Sequence, residues 1–192
     1  MKPASPTSPR AIVIGASAGA LEALTAILTD LPGDFPLPII IVVHIPPDKR
    51  SVLAELFRAK CRIGVIEVED KEPLRAATAY FAPPDYHLLV EDFETLGLTN
   101  EEPVLFSRPS IDVLFESAAD VYGTDVTAVL LTGANQDGAR GLLAIADAGG
   151  HVIVQEPETA FAAAMPEAGL ALCPDATVMS LDGISEYLRR IG

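Results

Sequence analysis

Three side chains of complementary chemistry each stand just beyond an apolar run: Ser17 after Ala11-Ile12-Val13-Ile14, His44 after Ile39-Ile40-Ile41-Val42-Val43, and Asp137 shortly after Ala128-Val129-Leu130-Leu131. A serine hydroxyl is a poor nucleophile alone. It needs an imidazole to accept its proton and a carboxylate to hold that imidazole in the useful tautomer. If the three runs are parallel strands of one sheet, all three groups emerge at its carboxyl edge, where open α/β sheets carry their sites. The expected chemistry is that of a serine hydrolase.

The segment Ile14-Gly15-Ala16-Ser17-Ala18-Gly19-Ala20 places small residues on both sides of Ser17 at a strand-to-helix turn. There a side chain can project outward, and helix amides favour developing negative charge. Main-chain N–H groups of Ala18 and Ala134 are the candidate oxyanion donors. Each residue also has a plainer reading. Ser17 and Asp137 are good helix N-caps, and His44 could be a satisfied histidine at a strand end. What favours a site is the convergence of three chemical types on one edge. His87 and His151 lack such a placement and are expected to be structural. A rival reading takes the Gly15–Gly19 turn as a dinucleotide loop. The Tyr-x-x-x-Lys pair of short-chain dehydrogenases is absent, however: Tyr80, Tyr86, Tyr122 and Tyr187 are followed four positions later by Pro84, Val90, Val126 and Ile191.

The elements that must position these groups alternate. Strands are expected at 11–15, 38–43 and 63–68, with helices at about 19–29 and 49–59 between them, a pattern of βαβ units and a parallel sheet. Three short apolar stretches follow, at 78–82, 86–90 and 95–99, separated by turn residues, and they predict an antiparallel meander. The parallel pattern then resumes: a helix from a Ser110 N-cap to about Tyr122, a strand at 126–131, a helix from Ala139 to Ala148 ending at Gly149-Gly150, a strand at 151–155 and a last helix at 184–191. The fold class expected is α/β, doubly wound, with a mainly parallel sheet flanked by helices and a short antiparallel β meander in the middle of the chain. Residues 1–10, rich in Pro and Ser, read as a flexible leader, and 11–192 as one domain.

Composition narrows the function classes. At 192 residues, 49% hydrophobic and 21% charged, the chain is of globular type. Thirteen Lys and Arg against 27 Asp and Glu give a net charge of −14, which disfavours nucleic acid and anionic membrane surfaces. Cys61 and Cys173 stand apart, with no CxxC or zinc-ligand spacing, which suits a reducing cytoplasm. No run reaches the ~18 apolar residues of a membrane span, so no membrane insertion is expected.

Six ordered segments carry a resemblance: IGASAGALEAL, VHIPPDKRSVLAELF, YFAPPDYHLLV, RPSIDVLFESAA, LLTGANQDGARGL and QEPETAFAAAMPEAGLA. From Ala11 to the end, the chain resembles the catalytic domain of the chemotaxis protein-glutamate methylesterases of the CheB type. The resemblance implies Ser17, His44 and Asp137 as a triad and hydrolysis of glutamate γ-methyl esters on the cytoplasmic helices of chemoreceptors, or on a related signalling protein. It also implies deamidation of receptor glutamines in some members, no metal or organic cofactor, and a cytoplasmic location. The loop from Glu156 to Pro166 is the implied wall of a substrate groove, with Met165 and Pro166 as candidates. Family members commonly carry a receiver domain ahead of the esterase. Here only the leader precedes Ala11, which implies a stand-alone esterase or an excised domain, with a separate receiver-domain protein as a partner. The chain departs from the GASTGG pattern at Ala18 and Ala20, and has Ala134-Asn135 where Met-Gly is usual. Asn135 in place of glycine is the more consequential departure if the loop needs φ > 0, although Asn tolerates that region better than most residues, and reduced activity or altered specificity is the expected result. Two alternatives stand beside the esterase: an adaptor that has lost turnover, and an NAD(P)-binding oxidoreductase.

Overall fold

The computed structural model describes residues 10–44 and 52–191. The leader, apart from Arg10, and the expected start of the second helix at 49–51 lie outside the described residues. Seven strands form one sheet: β1 (Ala11–Ala16), β2 (Pro38–Val43), β3 (Gly64–Glu67), β5 (Thr78–Phe81), β8 (Val126–Leu130), β9 (His151–Gln155) and β10 (Thr177–Met179), in the order β10-β9-β8-β1-β2-β5-β3. Every pairing is parallel. A second, antiparallel sheet joins β4 (Glu72–Pro73), β7 (Thr95–Thr99) and β6 (His87–Val90). The α/β class is therefore as the sequence predicts, with one correction. The stretch at 78–82 is not part of a meander: β5 lies between β2 and β3 in the parallel sheet, and only β6 and β7, with β4, form the antiparallel unit.

The alternation of side chains along a strand explains why the sheet is covered on both faces. On β1 and β2, Ile12, Ile14, Ile39, Ile41 and Val43 meet one core, with Leu24 and Ile27 of α1 (Ala20–Leu28), Phe57 of α2 (Leu53–Arg58) and Ile184 and Leu188 of α6 (Leu181–Ile191). Val13, Ile40 and Val42 meet the other, with Leu114 and Phe115 of α3 (Ile111–Tyr122), Leu142 and Ile145 of α4 (Ala139–Asp147), Met165 of α5 (Ala164–Leu172) and Leu88 and Leu96 of the small sheet. The two sheets are tied by Tyr80, whose buried hydroxyl donates to the Pro73 carbonyl at 3.0 Å and accepts from the Arg75 amide at 2.8 Å. Arg10, placed in the leader by composition, is already anchored: its amide donates to the Asp125 carbonyl at 2.7 Å. No helix of the described residues is long and apolar enough to cross a membrane.

Helix α1 offers a direct check of the core assignment, because Leu24 is 0% exposed and Leu21 is 48% exposed on the same helix. Leu24→Ala should cost about 2–5 kcal/mol in urea unfolding, from lost transfer energy plus a cavity. Leu21→Ala should stay within about 0.5 kcal/mol of the parent protein.

Candidate active site

The central strands deliver the three predicted groups to one rim. Because β1 lies between β2 and β8, its carboxyl end neighbours both of theirs. The ladder continues past the strands: His44 donates its amide to the Ala16 carbonyl at 3.2 Å, and Ser17 donates its amide to the Thr132 carbonyl at 2.9 Å. The backbones of Ser17 and His44 thus run side by side at the ~4.8 Å spacing of adjacent strands. Among the described residues, no hydrogen bond joins the Ser17 hydroxyl to the His44 ring.

Asp137 and His44 meet directly, with Nε2 of the ring 2.6 Å from Oδ2 of the carboxylate. Asp137 is 0% exposed, so it needs donors, and it has them. Oδ2 also accepts from the Ile111 amide at 2.7 Å, and Oδ1 accepts from the Asp112 amide at 3.0 Å and from the Ser110 hydroxyl at 2.8 Å. Burial pushes this carboxyl up, but the bond from His44 and the amides of Asp112 and Ile111 outweigh it and hold Asp137 below the usual carboxylate range. An ionised Asp137 accepts a proton-bearing Nε2, which leaves Nδ1 of His44 as the ring's basic nitrogen.

Asp137 does cap a helix, though not the one that follows it. The N-cap of α4 is Gly138, at φ +97°, whereas Asp137 serves the start of α3. A Cβ on Gly138 would stand 2.6 Å from Leu130 Cδ1 and 2.8 Å from Ile111 Cγ2, so both the turn and the packing require glycine. Ser110 occupies the N-cap position of α3 as expected, yet its hydroxyl makes no cap bond and turns to Asp137 instead. Asn135 needs no positive φ: it is absent from the residues in that region, and its side-chain oxygen accepts the Asp137 amide at 3.1 Å. Ser17 does not cap α1 with its side chain, since the N-cap there is Gly19 and no side-chain bond is made.

Neighbouring residues hold these segments in place. His87 is a structural histidine, as expected: its Nδ1 accepts the Ser110 amide and its Nε2 meets the Glu102 carbonyl, both at 3.1 Å. Asp112 is 2% exposed, and its Oδ1 accepts the amides of Gly138 at 2.9 Å and Gly141 at 2.7 Å. The Thr132 hydroxyl donates to the Ala18 carbonyl at 2.8 Å and accepts the Ala162 amide at 2.9 Å, while the Thr132 amide donates to Gln155 Oε1 at 3.0 Å. The Ser17 turn is therefore clamped to the loop before α5. Sequence reasoning did not find Asp112, Thr132 or Gln155 as parts of the site. The available signal was their polarity within otherwise apolar or small-residue segments.

The amides of Ala18 and Ala134 have no hydrogen-bond partner among the described residues; Ala18 is half-buried and Ala134 exposed. Met165 and Pro166 are placed differently from the groove wall expected of them. Both are buried, and Met165 supports the acidic loop from beneath, its amide donating to the Gly133 carbonyl at 2.9 Å. The outward-facing apolar side chain of this segment is Phe161, 79% exposed, beside Gly19 and Thr132 at a cavity of about 150 Å³.

The CheB methylesterase family model matches residues 12–188. A Leptospira interrogans protein, provisionally named a protein-glutamate methylesterase/protein-glutamine glutaminase, is 44% identical over 181 residues, covering 94% of each chain. A Rhodospirillum rubrum protein-glutamate methylesterase/protein-glutamine glutaminase is 35% identical over 195 residues, 99% of this chain and 50% of its own length. The crystal structure of the Thermotoga maritima CheB methylesterase catalytic domain superposes with a TM-score of 0.90 at 31% identity, covering 97% of this chain and 100% of that one. By its sequence over residues 12–188, and by the fold that carries the rim just described, the chain belongs to the CheB methylesterase family.

Proposed function

We propose that this chain is a serine hydrolase that removes methyl groups from glutamate γ-methyl esters of chemoreceptors and acts in the same way on receptor glutamines. The observation that carries this reading is the fully buried Asp137 bonded to His44, on the strand end next to Ser17. In the reaction, Ser17 Oγ attacks the γ-carbonyl carbon while its proton passes to Nδ1 of His44. Asp137 fixes the ring and stabilises the imidazolium. The oxyanion is received by the amides of Ala18 and Ala134, which have no partner among the described residues. Collapse expels methoxide, which takes the proton from His44 and leaves as methanol. Water, deprotonated by the same ring, then cleaves the acyl-serine ester and releases the glutamate side chain. With a glutamine the leaving group is ammonia. The substrate segment is a cytoplasmic receptor helix or a related signalling protein, which puts the reaction in the cytoplasm. Phe161 is suited to contact the substrate beside the reacting group.

Methanol release from methylated receptor should fall by several powers of ten in Ser17→Ala and His44→Ala, because triad members act as a unit. Asp137→Asn should cost about 10⁴-fold. Release no faster than the uncatalysed background by both the parent protein and Ser17→Ala would instead support the adaptor. Phe161→Ala should raise KM for the protein substrate and leave kcat on a small soluble ester unchanged; equal KM values would remove Phe161 from the contact surface.

Acid should expose the contribution of Asp137 to stability. Its folded carboxyl titrates below the ordinary 3.8, so the stability it confers is complete above that value and is lost as the pH falls through the folded value. Denaturant unfolding below about pH 4 should show a steeper acid loss in the parent protein than in Asp137→Asn.

A further inference from the structure

Two acidic side chains are exchanged between two helix starts. Asp137, in the loop before α4, accepts the amides of Ile111 and Asp112 at the start of α3. Asp112, in the first turn of α3, accepts the amides of Gly138 and Gly141 at the start of α4. Neither helix is capped by the side chain of its own N-cap residue, so each takes its acceptor from the other's segment. The result is a closed ring of hydrogen bonds, in which Asp137 cannot shift relative to α3 without disturbing Asp112, and Asp112 cannot shift without releasing Gly138, the residue next to Asp137.

We propose that Asp112 is a positioning residue for the reaction: it fixes the place of Asp137, and through Asp137 the His44 ring. This inference rests on the hydrolase reading. Reacting groups must be held within about 0.5 Å of productive geometry, and the carboxylate that orients His44 is itself held by a loop whose next residue is a glycine in the left-handed region. A packed helix start is a stiffer anchor than such a loop. Asp112 works through Oδ1 alone; Oδ2 has no partner among the described residues. Burial pushes its carboxyl up to about 6, opposed by the Gly141 amide and reinforced by the charge of Asp137. The charged groups around it are Asp137, Glu116 on α3 and Arg140 on α4, while α5 presents Ala168, Ala171 and Leu172 to the same cavity. Since the Oδ1 acceptor is what the ring of bonds uses, an amide oxygen can replace it.

The test measures methanol release by the full chain from a receptor fragment bearing glutamate γ-methyl esters. Asp112→Ala should lower kcat about 10- to 100-fold and leave KM within about twofold, since the reacting groups are misplaced while the substrate surface is intact. Asp112→Asn, which keeps the acceptor, should restore kcat to within about threefold of the parent protein. In an Asp137→Asn background, Asp112→Ala should lower kcat by no more than about twofold further, because the two act as a unit. Parent-like kcat in Asp112→Ala, an equal loss in Asp112→Asn, or a fully multiplicative double variant each overturns the proposal. Should circular dichroism show Asp112→Ala unfolded, Asp112→Glu keeps the charge and displaces the acceptor by one methylene; reduced kcat there supports the proposal and parent-like kcat overturns it. If the parent protein releases no methanol, the hydrolase reading fails; if it does and Asp137→Asn is impaired while Asp112→Ala is not, only the positioning role fails.

Discussion

A carboxylate withdrawn completely from water must find its donors inside the protein, and the rim of this molecule is arranged around that requirement. Asp137 finds them at the start of α3, where two amides and the Ser110 hydroxyl converge on its oxygens and His44 supplies the remaining bond. An amide–carboxylate bond is worth roughly twice a neutral one, and the helix start adds its positive end. The arrangement works only if α3 comes very close to the strand ends. Gly15 makes this possible: a Cβ there would stand 2.3 Å from Ile111 Cγ2. Gly138 gives the same methyl group clearance, since a Cβ there would stand 2.8 Å from Ile111 Cγ2. Small residues in β1 and in the acidic loop are thus the steric condition for an electrostatic one.

The same logic separates what holds the site from what would touch a substrate. His87 fixes the Ser110 backbone, and Thr132 joins the Ser17 turn to the segment before α5. Both are removed from solvent, at 1% and 2% exposure. Ala18 is half-buried and Ala134 exposed, and Phe161 stands beside Gly19. An alanine in the place of the family's usual threonine at position 18 leaves this support intact, because the hydroxyl that binds the Ala18 carbonyl belongs to Thr132.

Much of the sheet was legible because a strand buried on both faces reads as an unbroken apolar run, as in Ile39-Ile40-Ile41-Val42-Val43. The stretch at 78–82 misled for an equally physical reason. It is as short and as closely bounded by turns as β6 and β7, and nothing local tells a strand whether its partner lies beside it in sequence or in the parallel sheet. Strand β10 has three residues, and α5 carries a proline in its first turn and a glycine within, so neither gave a periodic signal. At the rim, the positions of Ser17, His44 and Asp137 at strand ends were readable one by one. The partner of Asp137 was not. Local rules assign a capping Asp to the next helix, whereas this one serves a helix that starts 26 residues earlier in the chain.

The strand order has a consequence for how the molecule comes into being. β1, the first of the seven strands in chain order, ends up at the centre of the sheet, and one of its two neighbours is β8, paired as Ala11↔Val126. Contacts that join residues so far apart along the chain raise the contact order and slow folding. During synthesis, one hydrogen-bonding edge of β1 must wait until residues 126–130 have left the ribosome, a natural point for chaperone engagement. Ser17 and His44 are translated early, but Asp137 follows β8, so the buried carboxylate reaches the rim only after the centre of the sheet can pair.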